Sequence, residues 1–227
     1  MLEKEKEFVD KGSEIYQGKR RTPALLDVMN IFREFLRKLV SISDAEFAEA
    51  SSHFRQLTLR KGDYFIKQDD ICNEIGFVSS GTLKNCYVNE KGEEIISCFC
   101  GENNFTGSFK SFIQRKPSEL AIQAIEATEI IAIDYENLNI LYQKNQIWQT
   151  VGKIITENEY IVIERYASAL SSLTAKERYL RLLSEHPKIL QKASISEIAS
   201  YLGITRRTLT RIRKEIVDIE TNVLSRT

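Results

Sequence analysis

The sequence predicts an α+β protein in which an N-terminal β-roll is followed by a long dimerisation helix and then by an all-α domain. From about residue 54 to residue 134, apolar residues recur with a period of two, in short runs that are typical of strands. From about residue 135 the period becomes helical. After residue 190, two predicted helices are joined by a glycine turn, which is the pattern of a helix-turn-helix unit.

We divide the chain into four predicted regions. Residues 1–28 form an N-terminal extension. Residues 29–145 form the β-roll domain, which opens with the helical spacing of "MNIFREFLRKLV". Residues 146–171 form the central dimerisation helix, and residues 172–227 form the helix-turn-helix domain. A hinge is expected between these last two regions.

The composition is that of an ordinary globular chain. Its 227 residues are 42% hydrophobic and 28% charged, which is enough for one large or two modest cores. No run approaches the ~18 consecutive apolar residues of a membrane span. The N-terminal segment "MLEKEKEFVDKGSE" has no apolar core of a signal peptide. We therefore expect a cytoplasmic protein that does not contact membranes.

The even charge balance conceals two oppositely charged parts. Lys and Arg total 32, as do Asp and Glu. From residue 171 onward there are eleven Lys and Arg against six Asp and Glu, a net +5, and the preceding residues carry the compensating −5. A basic C-terminal domain points to an acidic partner such as nucleic acid.

The β-rich region contains the turn signals that a small roll needs. Glycines stand between the apolar runs at Gly62 and Gly81, and the segments "NEKGE" and "GENN" mark two further turns. Several short strands at this spacing are typical of a sandwich or barrel.

The four cysteines are predicted to be small buried hydrophobic residues. They are Cys72, Cys86, Cys98 and Cys100. None of their spacings is the C-x2-C that brings adjacent thiolates onto one metal centre. The sequence therefore argues against an iron–sulfur cluster and against any other metal site.

Enzymatic activity is also not expected. His53 and His186 lie far apart in the predicted layout, and the chain has no G-x-S-x-G motif and no glycine loop that would cradle phosphates. No catalytic residues are predicted.

The long helix carries an apolar stripe that exceeds what a small roll needs to cover it. Asn158 falls within the stripe, and a polar residue in such a seam sets the register of paired helices. The predicted dimerisation residues are Ile147, Val151, Ile154, Ile155, Asn158, Ile161 and Val162. A homodimer is expected, and the alternative is a helix packed on its own sheet.

The basic domain carries two capping boxes, Thr174 with Glu177 and Ser194 with Glu197, each of which starts a helix. Gly203 provides the turn between two helices. The first of these helices carries an apolar stripe of Ile195, Ile198, Ala199 and Leu202, and the second, capped by Thr205, buries Leu209, Ile212 and Ile216.

Cations occupy the opposite faces of that second helix. The predicted DNA-binding residues are Thr205, Arg206, Arg207, Thr208, Thr210, Arg211, Arg213 and Lys214. The N-terminal residues of such a helix enter the major groove, where Arg bonds guanine O6 and N7, and the later cations suit phosphates. The predicted partner is therefore double-stranded DNA. The alternative is a β-roll interaction module whose basic tail binds an acidic protein.

These features together resemble the Crp–Fnr superfamily of bacterial transcription regulators. The resemblance spans about residues 29 to 216 and is most specific in "ISEIASYLGITRRTLTRIRK", while "LTLRKGDYFIKQDDICNEIGFVSSGTLK" looks like the family's cyclic-nucleotide-binding-like roll. It implies a symmetric dimer that binds specific DNA, a small-molecule or redox signal sensed in the roll, and contact with RNA polymerase.

The chain departs from that family at three places. In the effector pocket, matched to Gly107, Ser108, Phe109, Ser118 and Glu119, Ser108 replaces the expected Glu and Ser118-Glu119 replaces Arg-Ser, which argues against cyclic AMP and leaves the effector open. On the DNA-reading helix, Arg207 stands where many relatives have Glu. After Lys214 the chain is short for the usual winged hairpin, so a reduced or absent wing is expected.

Overall fold

The computed structural model describes residues 25–224, with side chains described for residues 27–218. The predicted extension at residues 1–28 therefore falls almost entirely outside the described residues. Helix α1, Leu25–Leu39, begins just before the predicted helical segment and buries Val28, Phe32 and Leu36. In the described part of the chain, no helix is apolar enough over a sufficient length to cross a membrane.

Eight strands form the predicted β-roll as two antiparallel four-stranded sheets. One sheet has the order β1-β8-β3-β6 and the other β2-β7-β4-β5. The strands are β1 Arg55–Leu59, β2 Tyr64–Ile66, β3 Glu74–Ser80, β4 Thr82–Val88, β5 Glu94–Gly101, β6 Phe105–Thr106, β7 Ala121–Ala124 and β8 Thr128–Asp134. Val78, Leu83, Ile122 and Ile130 are fully buried between the sheets, so the alternating pattern is satisfied by the roll's own interior.

Three short helices accompany the roll. Helix α2, Asp44–Ser51, precedes β1, helix α3, Phe109–Gln114, lies between β6 and β7, and helix α4, Tyr135–Lys144, follows β8. Helix α2 was not predicted, although Ser43 and Glu46 form a complete capping box at its start.

The central helix α5, Gln146–Ser172, matches the predicted span to within one residue. Its first turns pack against α1 and the outer face of the roll, burying Trp148 and Val151. Beyond them the helix leaves this core, and the chain turns at Leu173.

Four helices complete the chain: α6 Ala175–Glu185, α7 Pro187–Lys192, α8 Ile195–Tyr201 and α9 Arg206–Leu224. The two predicted capping boxes are both present, at Thr174 with Glu177 and at Ser194 with Glu197. Helix α9 continues to Leu224, so a helix occupies the place where a winged hairpin would begin. The predicted α+β fold class, with a β-roll, a long helix and a helical C-terminal domain, is confirmed for the residues that are described.

The predicted inner face of the helix-turn-helix unit is correct except at one residue. Ile198, Leu202, Leu209 and Ile212 are buried together. Ile195 was predicted to share this core but is 41% exposed. It lies at the first position of α8, where the side chain points away from the packed face.

The helix-turn-helix unit packs directly against the edge of the roll. β5 ends its sheet, and the Ser200 hydroxyl of α8 accepts from the Ile96 N–H at 2.9 Å and donates to the Glu94 carbonyl at 3.1 Å. The Phe99 and Tyr201 rings pack beside these bonds, with centroids 5.3 Å apart. Two backbone groups of the edge strand are therefore satisfied by the neighbouring helix.

Candidate DNA-binding and effector sites

The candidate DNA-binding surface is the solvent side of the first three turns of α9. Leu209 and Ile212 are buried beneath it, which fixes the rotation of the helix. The predicted residues Thr205, Arg206, Arg207, Thr210, Arg211, Arg213 and Lys214 are exposed, and Thr208 is half-buried. The structure therefore places the predicted residues on one accessible surface at the start of a helix, where groove contacts are made.

Local hydrogen bonds hold the start of α9. The Thr205 hydroxyl accepts from the Thr208 N–H at 3.2 Å and lies 2.9 Å from the Thr208 hydroxyl. Gly203 adopts a φ of 65°, in the left-handed region that favours glycine, and its N–H donates to the Ser200 carbonyl. The turn and the cap together set the angle between α8 and α9.

Arg178 fixes the helix-turn-helix unit to the hinge, a role that the sequence did not indicate. Its guanidinium donates to the Leu202 carbonyl at 2.9 Å and to the Leu173 carbonyl at 2.6 Å. One side chain thus joins the C-terminal end of α5 to the C-terminal end of α8. In the sequence, Arg178 is one of the cations of the basic domain. Its role depends on contacts in the folded structure, so no sequence motif indicates it.

Most of the surface cations on α9 have no carboxylate partner. Arg211 pairs with Glu215 one turn later at 2.8 Å. Among the side chains that the structure describes, Arg206, Arg207, Arg213 and Lys214 form no ion pair. These four charges are therefore available to neutralise phosphates or to donate to bases.

In the predicted effector pocket, the side chains of Ser108 and Ser118 are buried and bond to each other. Ser108 and Ser118, the residues that replace the acidic and basic partners of a cyclic nucleotide, are 5% and 1% exposed. The Ser118 hydroxyl donates to the Ser108 hydroxyl at 2.8 Å. The two positions therefore satisfy each other, with no formal charge to bind a phosphate.

The charged residues near this pocket are committed elsewhere. Glu119 faces solvent and pairs with Lys110, so its carboxylate is not directed inward. Arg115 donates to the Cys72 carbonyl and to the Asn73 side chain, and its guanidinium lies 4.8 Å from the centre of the Tyr135 ring. Gly107 is buried against Ile75 and Phe109 is half-buried, so the five predicted residues share a neighbourhood without forming an open charged site.

The predicted dimerisation residues divide into two groups. Val151 is 4% exposed, and Ile147 and Ile155 pack partly against the same intramolecular core, so the first half of the stripe covers the molecule's own roll. Ile154 is half-buried, and Asn158 is exposed. Ile161 and Val162 are 50% and 46% exposed, next to the exposed Tyr160 and Ile163. Only this second half is exposed, and its four consecutive apolar side chains lie on different sides of the helix.

A buried ion-pair network connects the roll to α8. The Lys84 side chain of β4 is 8% exposed and bonds Glu94 of β5 at 2.6 Å and Glu197 of α8 at 3.0 Å. Burial lowers the pKa of Lys84, but the bonds to Glu94 and Glu197 outweigh it and raise the pKa overall. Glu197 is also the capping-box residue of α8, so the network and the helix start share one side chain.

The surroundings of the cysteines and histidines indicate structural roles for these residues. Cys72, Cys86 and Cys100 are buried, and burial raises the pKa of Cys86 to about 11. Within residues 27–218, no group of three or more His, Cys, Asp or Glu is placed to hold a metal ion. His53 is 2.6 Å from the Asn137 side chain, and His186 ends α6 directly before Pro187.

Comparisons with known proteins match the roll to a family model and much of the chain to curated relatives. A family model described as the cyclic nucleotide-binding domain matches residues 56–145, which is the roll. The transcriptional activator protein anr of Pseudomonas aeruginosa is 25% identical over 167 residues, covering 68% of this chain and 67% of that relative. The CRP-like protein Clp of Xanthomonas campestris is 25% identical over 183 residues, covering 74% of this chain and 78% of that relative.

A solved structure has the same fold. FixK2 from Bradyrhizobium japonicum superposes with a TM-score of 0.65 at 19% identity, covering 74% of this chain and 86% of that chain. At this identity the likeness concerns the fold of the roll and the helices.

Proposed function

We propose that the chain is a DNA-binding transcription regulator of the Crp–Fnr superfamily, which it resembles, and that it binds specific duplex DNA as a symmetric homodimer. The observation that carries this proposal is the start of α9. Four unpaired cations stand on the exposed face of a helix that a cap, a glycine turn and a buried apolar face hold in place. Arg206 and Arg207 would meet base edges, and Arg213 and Lys214 would meet phosphates.

The exposed half of the α5 stripe supports the dimer. Tyr160 and Ile163 are 70% and 64% exposed, and with Ile161 and Val162 they leave this part of the helix apolar on several sides. A second copy of α5 would cover the apolar side chains that face it and would bring two α9 helices onto one duplex, matching the symmetry of a palindromic site.

Salt-dependent duplex binding tests the DNA-binding part of the proposal. Binding of a fluorescent duplex, measured by anisotropy, should weaken steeply between ~50 and ~200 mM salt because phosphate contacts release counterions. Selection from a random duplex library should recover a two-fold symmetric sequence.

A matched pair of variants sharpens this test. The double change Arg206→Ala with Arg207→Ala should abolish the sequence preference, whereas Lys91→Ala, which removes an exposed cation from a turn of the roll, should leave it unchanged. Salt-independent binding, or retention of the preference by the double variant, would contradict the assignment. Binding to an acidic protein without any selected sequence would instead favour an interaction module.

We propose in addition that the roll senses an effector other than cyclic AMP. The support is the Ser108–Ser118 hydrogen bond, because Ser118 stands where the phosphate would need a cation and Ser108 stands where a carboxylate is expected. Isothermal titration with cyclic AMP should give no saturable heat at millimolar nucleotide, and a saturable heat would refute this.

A further inference from the structure

A second cavity lies outside the predicted effector pocket. It has a volume of about 260 Å³ and lies where α3 and α4 face α5 and the outer surface of the roll. Engineered apolar cavities of ~150 Å³ already accept benzene. The space is therefore large enough for an aromatic ring with one or two substituents.

The lining of this cavity is aromatic and uncharged. Rings from most of the neighbouring elements contribute, among them Phe77 of β3, Phe109 of α3 and Trp148 of α5. Of the described residues that line it, none carries a formal charge. A polar or charged molecule would lose its hydration on entering without gaining partners, so the lining selects for neutral apolar compounds.

One polar group of the lining, the Tyr142 hydroxyl, has no assigned structural role within the described chain. Gly152 interrupts α5 with a residue that is unfavourable in helix interiors, and a Cβ there would overlap the Tyr142 hydroxyl. Glycine thus lets the Tyr142 ring lie against the helix backbone. Among the described side chains that hydroxyl has no hydrogen-bond partner, and burial raises its pKa.

Two other polar side chains of the lining donate to the backbone beside them. The Thr156 hydroxyl donates to the Gly152 carbonyl at 2.8 Å, and the Asn139 amide donates to the Tyr135 carbonyl at 2.8 Å. An ordered buried water typically makes ~3 hydrogen bonds, which these surroundings supply poorly. A ligand with a single acceptor opposite Tyr142 suits them better.

We propose that this cavity binds a neutral, mainly apolar small molecule, an aromatic compound bearing one hydrogen-bond acceptor. The ligand would contact α3, which carries the predicted effector residue Phe109, and α5, which leads to the DNA-binding helices. As an effector site the cavity rests on the proposed function, while ligand binding itself does not depend on it.

The single tryptophan of the chain makes the test direct. Trp148 is the only Trp in the sequence and lines the cavity, so its fluorescence reports occupancy. The probe is nitrobenzene, a neutral aromatic quencher whose nitro group accepts a hydrogen bond. Quenching of the full-length protein should saturate, with half-saturation at or below about 1 mM. The anionic analogue 3-nitrobenzenesulfonate should quench weakly and without saturation, because the cavity excludes charge.

Two variants and one control locate the binding. Gly152→Leu fills the cavity and should weaken saturable quenching at least about tenfold. Lys153→Leu adds the same side chain at the adjacent exposed position and should change nothing. If circular dichroism shows that Gly152→Leu does not fold, Tyr142→Phe keeps the shape, and its loss of one hydrogen bond should weaken nitrobenzene binding by roughly 2- to 10-fold.

Linear quenching that is the same in wild type and Gly152→Leu would overturn the proposal. So would equal quenching by the anionic analogue, since that would indicate collisions at the surface. Duplex binding measured on the same preparations separates the two proposals. Retained DNA binding without saturable quenching refutes the cavity alone, and saturable quenching without DNA binding refutes the proposed function alone.

Discussion

Arg207 distinguishes this DNA-binding surface at the level of a single residue. It is exposed in the first turn of α9, where many members of the family that the sequence resembles carry Glu. A carboxylate accepts from the cytosine amine, whereas a guanidinium has donors only and favours guanine or phosphate. The preferred half-site should therefore differ from the common one at the base pair that this residue meets.

Arg207→Glu is expected to change the selected half-site at one base pair towards cytosine. Affinity for the original site should fall by roughly 5- to 150-fold, the usual value of one bidentate base contact. Selection from a random duplex library followed by competition measures both effects. Arg213→Glu, the same charge change further along α9, should weaken binding to all sequences alike. An unchanged half-site with Arg207→Glu would refute the assignment of this residue.

Glu159 differs from the other described carboxylates whose pKa the fold shifts, because its pKa is raised and theirs are lowered. It is half-buried on α5, and burial raises its pKa to about 7. Burial and, to a smaller extent, the Glu159 carboxylate raise the pKa of the neighbouring Cys98 to about 12. Because the folded state binds the Glu159 proton more tightly than the unfolded state, stability should fall as pH rises from about 4.5 to about 7.

Glu159→Gln should therefore stabilise the protein in neutral solution and not in acid. We expect a gain of about 2 kcal/mol in the free energy of unfolding at pH 8, and almost none at pH 4, where both states of the wild type are protonated. Urea unfolding at fixed protomer concentration measures it. Glu157→Gln, on the exposed side of the same helix, should retain the pH dependence of the wild type. A gain from Glu159→Gln that did not change with pH would contradict the assignment.

At the scale of elements, α5 serves two purposes along its length. Its first turns are part of the core of the roll, and its later turns carry the exposed side chains of Tyr160, Ile161, Val162 and Ile163. These side chains should therefore be replaceable without unfolding the roll.

Ile161→Asp is expected to convert a dimer into a folded monomer, because a carboxylate would be desolvated in the seam between two helices. Size-exclusion chromatography with light scattering should show half the mass, with unchanged circular dichroism. DNA affinity should fall as the second half-site is lost. Ile140→Asp replaces an isoleucine of similar exposure on α4, 40% exposed, and should remain dimeric. A wild-type monomer at micromolar concentration would disprove the dimer.

The sequence predicted those elements whose signals are local. The capping boxes at Thr174 and Ser194 and the turn at Gly203 involve residues a few positions apart, and each lies where it was expected. Helix α2, which was not predicted, carries the same signature at Ser43. Its start is therefore also marked by residues close together in the sequence.

Periodicity was less informative about what covers a face. Val151 and Ile161 belong to one apolar stripe, yet the first is buried in its own core and the second is exposed. An apolar period predicts a face that has to be covered, but it does not identify the element that covers it. Ser108 and Ser118 were recognised as departures, whereas their mutual hydrogen bond and the cavity beside Trp148 depend on residues distant in the chain.

At the scale of the whole molecule, the interface between the roll and the C-terminal helices contains both buried and exposed ion pairs. Lys84 is buried between Glu94 and Glu197, whereas Lys188 and Glu102, 3.2 Å apart across the same boundary, are largely exposed. The buried network is the better candidate for coupling a change in the roll to the orientation of α8.

A double-mutant cycle on Lys84→Met and Glu197→Gln should give a coupling energy of about 1–3 kcal/mol in urea unfolding, because the Lys84 side chain is buried and water screens its bond to Glu197 only weakly. The corresponding cycle on Lys188→Ala and Glu102→Ala should give less than about 1 kcal/mol, since water screens an exposed pair. Equal coupling energies in the two cycles would show that the buried network has no special role.

The bonds of Ser200 to β5 have a consequence for the roll on its own. If the helix-turn-helix unit separated from the roll, the Ile96 N–H and the Glu94 carbonyl would lose their partner at the open end of a sheet. An uncovered edge of this kind is a template on which strands of other molecules can add, and proteins generally shield such edges from aggregation. In the described structure, helix α8 therefore also shields this part of the β5 edge from strands of other molecules.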